Sequence, residues 1–135
     1  MARRRGLPLT PDEYRRAVAG AESEDDLLTD VLGLLRSLGW RAVHYRNSRA
    51  AVTQGDRGLP DVTAAGHGRV LYAELKREGE QPTRDQMAWL DALSQGGAEC
   101  YVWRPSDWLD GSIERIVAAG PSSAEPSRWG EREER

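Results

Sequence analysis

The sequence predicts an α/β fold with the element order αβββαβ, in which helices flank a mixed central sheet. Three observations predict it. Leucines recur at helical spacing before three short strand-like segments, a second capped helix follows these segments, and a fourth strand comes after that helix. The chain of 135 residues with 39% hydrophobic content suits a single domain. We expect an N-terminal extension at 1–21, the domain at 22–119 and a disordered tail at 120–135.

The helices are predicted from their capping signals and apolar spacing. A short helix from Pro11 to Ala19 belongs to the extension. The first core helix begins after Ser23, shows apolar residues every three or four positions, and ends at Gly39. Thr83 starts the next helix with capping-box spacing, and a final helix is expected at Ser106–Ala118.

The strands are predicted from short apolar runs between turn residues. They are expected at Trp40–Arg46, Asp61–Ala65, Arg69–Lys76 and Ala98–Trp103. The Gly66-His67-Gly68 turn joins the second and third strands into a hairpin, which makes them neighbours in the sheet.

Composition excludes some classes of protein. The lone Cys100 cannot form an internal disulfide and is typical of a reducing compartment, so we expect a cytoplasmic protein. No apolar run approaches the roughly 18 residues of a membrane span, so no membrane partner is expected. The net charge of −3 does not indicate nucleic-acid binding by itself. Of the 19 basic residues, only Lys76 is a lysine.

Charge is unevenly distributed along the chain. The segment between Trp40 and Pro60 holds one acid, Asp56, against four arginines. Arg46, Arg49 and Arg57 are candidate DNA-binding residues, because a local basic loop can contact phosphates even in an acidic chain. A loop that is only solvated explains the same charges equally well.

Three charged residues are predicted to meet at one end of the sheet. Glu74 and Lys76 stand two apart on a strand, so their side chains share a face. The neighbouring strand begins at Asp61, directly after Pro60. Two carboxylates suit Mg²⁺ or Mn²⁺, and a nearby ammonium group can orient a water and stabilise negative charge. An ordinary charged strand face remains the alternative for Glu74 and Lys76.

These segments resemble a known family. Gly58-Leu59-Pro60-Asp61, then Tyr72-Ala73-Glu74-Leu75-Lys76, then Thr83 to Gln86 is similar to the VRR-NUC branch of the PD-(D/E)XK nucleases, over about residues 23–108. The resemblance implies a restriction-endonuclease-like αβββαβ core, divalent-metal dependence and DNA cleavage. It also implies that Asp61, Glu74 and the Leu75 backbone carbonyl bind the metal, while Lys76 serves the water nucleophile.

Two further residues are candidates because of the resemblance. The family has an acid on the first helix, and Glu24 matches it as a catalytic residue and metal ligand. The alternative is an acid that only interacts with the helix dipole. Gln86 matches a glutamine early in the second helix, and its alternative is a capping-box residue. Leu28 stands where some relatives carry a glutamine, which is a departure from the pattern.

The resemblance implies a DNA endonuclease, and stand-alone members of the family resemble Holliday junction-resolving enzymes often carried by phages. The chain would then act in the host cytoplasm if phage-encoded. Two alternatives remain open: a non-catalytic nucleic-acid-binding module with a nuclease fold, and a sequence-specific restriction-type endonuclease.

Paired cuts across a junction need two active sites, so a homodimer is expected, through the helix at 11–19 or the surface near Trp108. A monomer that nicks one strand at a time is the alternative.

Overall fold

The computed structural model describes residues 10–11, 23–44 and 54–119. The predicted helix at 11–19, apart from its first residue, lies outside the described residues, as do the tail at 120–135 and the segment that carries Arg46 and Arg49. The described elements are, in chain order, α1 (Glu24–Ser37), β1 (Arg41–His44), β2 (Val62–Gly66), β3 (Arg69–Leu75), α2 (Arg84–Gln95), β4 (Glu99–Trp103), α3 (Pro105–Leu109) and α4 (Ser112–Ala119). Among these ranges, no helix has both the length and the apolar character needed to span a membrane.

The four strands form one mixed sheet in the order β1-β2-β3-β4. The pairs β1/β2 and β2/β3 are antiparallel, whereas β3/β4 is parallel. A parallel pair needs a crossover connection, and α2 supplies it between β3 and β4. The predicted αβββαβ order and mixed sheet are therefore confirmed.

The β2–β3 hairpin closes with a tight turn at His67-Gly68. Both residues have positive φ, 54° and 74°, as the twist of a type I′ hairpin turn requires. Gly66 pairs with Arg69 directly across the turn. This short closure sets the register of the two strands, and the register in turn decides which residues face each other at their far end.

Helix α1 is capped and oriented as its sequence predicts. The Ser23 hydroxyl accepts a hydrogen bond from the Asp26 N–H at 3.1 Å, and Gly39 follows the helix with a φ of 88°. The side chains of Leu27, Val31 and Leu35 are fully buried against the sheet. The same core includes inward residues of β2, β3 and β4 and three side chains of α4, namely Ile113, Ile116 and Val117.

Helix α2 covers a different part of the sheet. It packs against β4, and its Leu90 is fully buried outside the main core, as is Cys100 of β4. Trp89 of α2 is only half-buried, and its indole N–H points at the loop that precedes β2.

The predicted single helix at 106–118 is wrong. The segment forms two helices, α3 and α4, which are separated at Asp110-Gly111. Gly111 has a φ of 83°, and the Asp110 carboxylate accepts a hydrogen bond from the Ser112 N–H at 2.8 Å, which caps the new helix. Trp108 of α3 packs against the main core. It is therefore less available to a dimer partner than we expected from the sequence.

Candidate active site

The register of the hairpin places Asp61 opposite Glu74. Val62 pairs with Ala73, so the residue before β2 and the residue after Ala73 stand across from each other at the strand end. The Asp61 Oδ2 accepts a hydrogen bond from the Leu75 N–H at 2.9 Å. This bond ties the aspartate carboxylate to the end of β3.

Lys76 completes the cluster. Its Nζ lies 3.4 Å from the Glu74 Oε2, and both side chains are buried. The Lys76 N–H donates to the Trp103 carbonyl at 3.0 Å, so the chain continues alongside β4 for one residue beyond the strand. The structure thus brings together the three charged residues that the sequence singled out.

Glu74 is held in an unfavourable environment for a charged carboxylate. Its side chain is 1% exposed. Burial, which is the largest cause, and the neighbouring Asp61 carboxylate together raise the pKa of Glu74 from 4.5 to about 8, and the Lys76 ammonium only partly offsets them. Without a cation, a proton on Glu74 relieves the repulsion between the two carboxylates at neutral pH.

The donor set fits a hard divalent cation. Within the part of the chain that the structure describes, the buried Glu74 Oε1 has no hydrogen-bond partner. A buried polar atom of this kind normally has one, and a metal ion can take that place. Leu75 lies between Glu74 and Lys76, so its predicted carbonyl ligand is at the same strand end. A Mg²⁺ ion bound by one or two carboxylates and several waters needs no larger set of side chains.

Glu24 is placed differently from Asp61 and Glu74. Glu24 is half-buried in the first turn of α1, and among the described ranges no group of three or more His, Cys, Asp or Glu side chains could hold a metal. The structure therefore does not bring Glu24 into a cluster with Asp61 and Glu74, and its role as a ligand stays a prediction.

Gln86 forms the capping box of α2, as its alternative interpretation proposed. Its Oε1 accepts from the Thr83 N–H at 2.8 Å, and its N–H donates to the Thr83 hydroxyl at 3.2 Å. The side chain is half-buried. The cap occupies the amide oxygen and leaves the amide nitrogen as its available polar group.

Of the three candidate DNA-binding arginines, Arg57 lies within the described residues. It is exposed in the loop before β2, four positions ahead of Asp61. Arg46 and Arg49 lie outside the described residues, so their contribution to DNA binding stays a prediction.

The loop that delivers Asp61 is fastened to α2 by residues to which we had given no such role. The Trp89 indole N–H donates to the Asp56 carbonyl at 3.3 Å. Gly58 has a φ of 99°, and a Cβ there would lie 2.5 Å from the Asp85 carbonyl carbon. Glycine in the Gly-x-Pro-Asp segment is thus required by this close approach, which the sequence motif could have suggested.

His44 makes a contact at the site that was not predicted from the sequence. Its Nδ1 lies 2.9 Å from the Asp61 carbonyl oxygen. The spacing of 17 residues between the two offers no sequence signal for this contact. Pairing of β1 with β2, which sets His44 opposite Val62, creates it.

Comparison with solved structures shows what class of fold this is. A VRR_NUC domain superposes with a TM-score of 0.56 and 20% sequence identity, over 67% of this chain and 94% of that one. A Holliday junction resolvase from Archaeoglobus fulgidus gives a TM-score of 0.43 and 26% identity, over 56% of this chain and 62% of the resolvase. The protein has the fold of a VRR_NUC domain, and the resemblance predicted from its motifs is confirmed at that level.

Comparison of sequences gives a different relative. Protein translocase subunit SecA 1 of three Mycobacterium strains, KMS, JLS and MCS, is 30% identical in an alignment of 113 positions that covers 78% of this chain. The chain spans only 11% of the length of these translocases. No protein-family model matches the sequence.

Proposed function

We propose that this protein is a divalent-metal-dependent DNA endonuclease that hydrolyses phosphodiester bonds, with a preference for branched or junction DNA. The observation that carries the proposal is the buried Glu74 in contact with the half-buried Asp61 and beside Lys76, with one Glu74 oxygen left without a partner among the described residues. A stable protein has no need of a buried carboxylate in contact with a second carboxylate, since burying such a charge is costly. A bound cation would neutralise the Asp61 and Glu74 carboxylates, and a phosphate substrate would interact with the Lys76 ammonium.

Asp61 and Glu74 would hold the metal, with the Leu75 carbonyl beside them. A bound Mg²⁺ or Mn²⁺ lowers the pKa of a coordinated water and neutralises charge that develops on the phosphate. Lys76 presents an ammonium group next to Glu74, where it can orient the attacking water and stabilise the developing negative charge. The hydrogen bond from the Leu75 N–H holds the Asp61 carboxylate in one orientation before any ligand arrives.

The electrostatics and the size of the described part support the proposed substrate class. An anionic backbone approaching the site would meet the exposed Arg57 on the loop before β2. Beyond the αβββαβ unit, the described ranges add only α3 and α4, whose apolar side chains pack against the core of that unit. Recognition of a branched shape, with the help of a second copy or a partner, suits such a unit better than recognition of a long sequence.

A cleavage assay on matched linear, flap and four-way DNA tests this proposal. With Mg²⁺ we expect cleavage, strongest on the branched substrates. Asp61→Asn, Glu74→Gln and Lys76→Ala should each reduce the rate on the order of 10²-fold or more, with DNA binding and folding retained. The matched control is Glu114→Gln on the exposed face of α4, which should cleave as the wild type does. Full activity in any of the three site variants would contradict the proposed site.

Replacement of the cation tests the metal separately. Mg²⁺ and Mn²⁺ should support cleavage, whereas Ca²⁺ should not, because it adopts looser and larger oxygen geometries. Robust cleavage in excess chelator would contradict a metal-dependent mechanism.

The same assay distinguishes the alternative functions. DNA binding without cleavage under any metal would indicate a non-catalytic binding module. Cleavage of linear DNA at one defined sequence would indicate a restriction-type endonuclease. Cleavage of single-stranded or duplex RNA at comparable rates would widen the substrate class beyond DNA.

A further inference from the structure

His44 stands at the end of β1 and reaches across to the main chain of Asp61. Its ring Nδ1 lies 2.9 Å from the Asp61 carbonyl oxygen, and the side chain is half-buried. A carbonyl oxygen can only accept a hydrogen bond, so Nδ1 carries the proton and donates it. The contact therefore fixes which ring nitrogen is protonated as well as where the ring lies.

Asp61 needs such a contact because it lies just outside the strand ladder. The paired residues of β2 begin at Val62, which faces His44 on one side and Ala73 on the other. Pro60 precedes Asp61 and has no N–H to donate. The His44 Nδ1–H supplies a hydrogen bond to the Asp61 carbonyl from the β1 side.

Two strands thus hold Asp61 from opposite sides. The His44 ring, from β1, binds the main-chain carbonyl, and the Leu75 N–H, from β3, binds the carboxylate at 2.9 Å. The first contact orients the peptide plane and the second orients the side chain. Together they leave Asp61 little freedom to turn its carboxylate away from Glu74.

We propose that His44 is a positioning residue that holds Asp61 in the orientation needed to bind the catalytic metal through its hydrogen bond to the Asp61 carbonyl. The inference rests on the proposed function, in which Asp61 is a metal ligand. Partners that orient a metal ligand commonly change metal affinity by about 10- to 100-fold when they are removed.

Two substitutions of similar shape separate the hydrogen bond from mere packing. His44→Asn keeps an N–H donor on the atom bonded to Cγ, in the place of Nδ1. His44→Leu fills the same space with methyl groups and has no donor. Mn²⁺ binding to the full chain, measured by electron paramagnetic resonance without DNA, should weaken by about 10- to 100-fold in His44→Leu. His44→Asn should stay within about threefold of the wild type, since its hydrogen bond is restored.

His67 provides a matched control at the other end of the hairpin. Its Nε2 also bonds to a carbonyl oxygen, that of Leu38, at 2.7 Å. His67→Asn loses that bond but suits the positive φ of 54°. This variant should bind Mn²⁺ with wild-type affinity even where its melting temperature falls. The comparison separates a general loss of stability from a specific loss of metal binding.

Several results would overturn the inference. One is wild-type Mn²⁺ affinity in His44→Leu; another is the same loss of affinity in His44→Asn as in His44→Leu, with both variants folded. If His44→Leu does not fold, His44→Asn decides alone, through wild-type affinity or its loss. Absence of Mn²⁺ binding in both the wild type and Asp61→Asn would instead overturn the proposed function, and the role of His44 with it.

Discussion

Glu74 is the residue at which stability and proposed function oppose each other most directly. Its carboxylate is buried, stands next to Asp61, and is paired with the Lys76 ammonium at 3.4 Å. Buried charges without full compensation destabilise a folded protein, so this arrangement lowers stability when no cation is bound. A buried carboxylate with a strongly perturbed pKa is typical of residues whose role is binding or catalysis.

The pKa of Glu74 predicts how the stability of the metal-free protein depends on pH. Folding raises this pKa from 4.5 to about 8. The neutral carboxyl therefore contributes fully to the free energy of unfolding below pH 4.5, and this contribution is lost as the pH rises through 8. Glu74→Gln removes that loss. We expect the variant to be more stable than the wild type at pH 8 to 9 in chelator, on the order of 2 kcal/mol, and nearly equal to it at pH 5.

Urea unfolding at both pH values measures this difference. Mg²⁺ should raise the stability of the wild type at pH 8 and leave Glu74→Gln less affected, because binding to the folded state alone stabilises it. Glu114→Gln, at an exposed position, serves as the control and should keep the pH dependence of the wild type. A Glu74→Gln protein less stable than the wild type at pH 9 would contradict the unfavourable burial of this charge.

At the scale of elements, the site depends on how the loop before β2 is fastened to α2. Gly58 lies so close to the backbone of Asp85 and Gln86 that no side chain fits between them. The Trp89–Asp56 hydrogen bond fastens the same loop two residues earlier. The first turn of α2 therefore serves as a support for the segment that presents Asp61.

Gly58→Ala tests this support. The added methyl group would lie 2.5 Å from the Asp85 carbonyl carbon, and a φ of 99° is itself unfavourable for alanine. We expect a loss of stability above the roughly 1–3 kcal/mol of backbone strain alone, together with a large loss of cleavage.

Gly55→Ala is the matched control for this substitution. Gly55 has nearly the same φ, 100°, but no heavy atom lies within 4 Å of an added Cβ. Its cost should be confined to the backbone strain. Equal unfolding free energies for the two variants, measured in urea, would show that the loop does not depend on its contact with α2.

The arginines of the loop between β1 and β2 give a second prediction at this scale. Replacing Arg46, Arg49 and Arg57 together should weaken binding to all DNA sequences about equally and flatten the dependence of affinity on salt. Arg36, Arg41 and Arg115, which are exposed away from the Asp61–Glu74 end of the sheet, form a control triple whose replacement should have a smaller effect on the salt slope. Fluorescence anisotropy across a salt series measures both, and equal slopes for the two triples would contradict a role for the loop.

At the scale of the whole molecule, the two ends of the sheet differ in how fully their buried charges are compensated. At the end away from the site, Arg69 forms a bidentate pair with Glu99 at 2.7 Å and donates to the carbonyls of Ile116 and Val117. The Tyr101 hydroxyl also donates to Glu99. These charges are compensated, and they join β3, β4 and the end of α4. The Asp61–Glu74 end keeps its charges only partly compensated, as a binding site requires.

Assembly into a homodimer remains our prediction for the whole molecule. One chain holds one Asp61–Glu74–Lys76 cluster, so symmetric cuts on two strands of a junction need two chains related by a two-fold axis. Light scattering or sedimentation, with and without junction DNA, should show twice the mass of one chain in at least the DNA-bound state. Paired cuts made by a protein that stays monomeric in both conditions would contradict this expectation.

The sequence by itself determined the elements and the identity of the charged cluster. Helical spacing of leucines with a Ser23 cap predicted α1, and the Gly66-His67-Gly68 turn predicted the hairpin that aligns Asp61 with Glu74. Both are local signals, because caps, turns and strand periodicity act over a few residues. The break between α3 and α4 was missed, since Asp110-Gly111 is a short interruption within an otherwise helical pattern.

Only the tertiary structure decided how the cluster is held. Two of its features are contacts between residues far apart in the chain: the His44 bond to Asp61 and the fit of Gly58 against α2. A third, the unpartnered Glu74 oxygen, depends on burial. Periodicity and spacing carry no information about such contacts, because they depend on which strands pair and on what the folded chain removes from water. The sequence identified Asp61, Glu74 and Lys76, whereas packing determined the orientation of Asp61 and the raised pKa of Glu74.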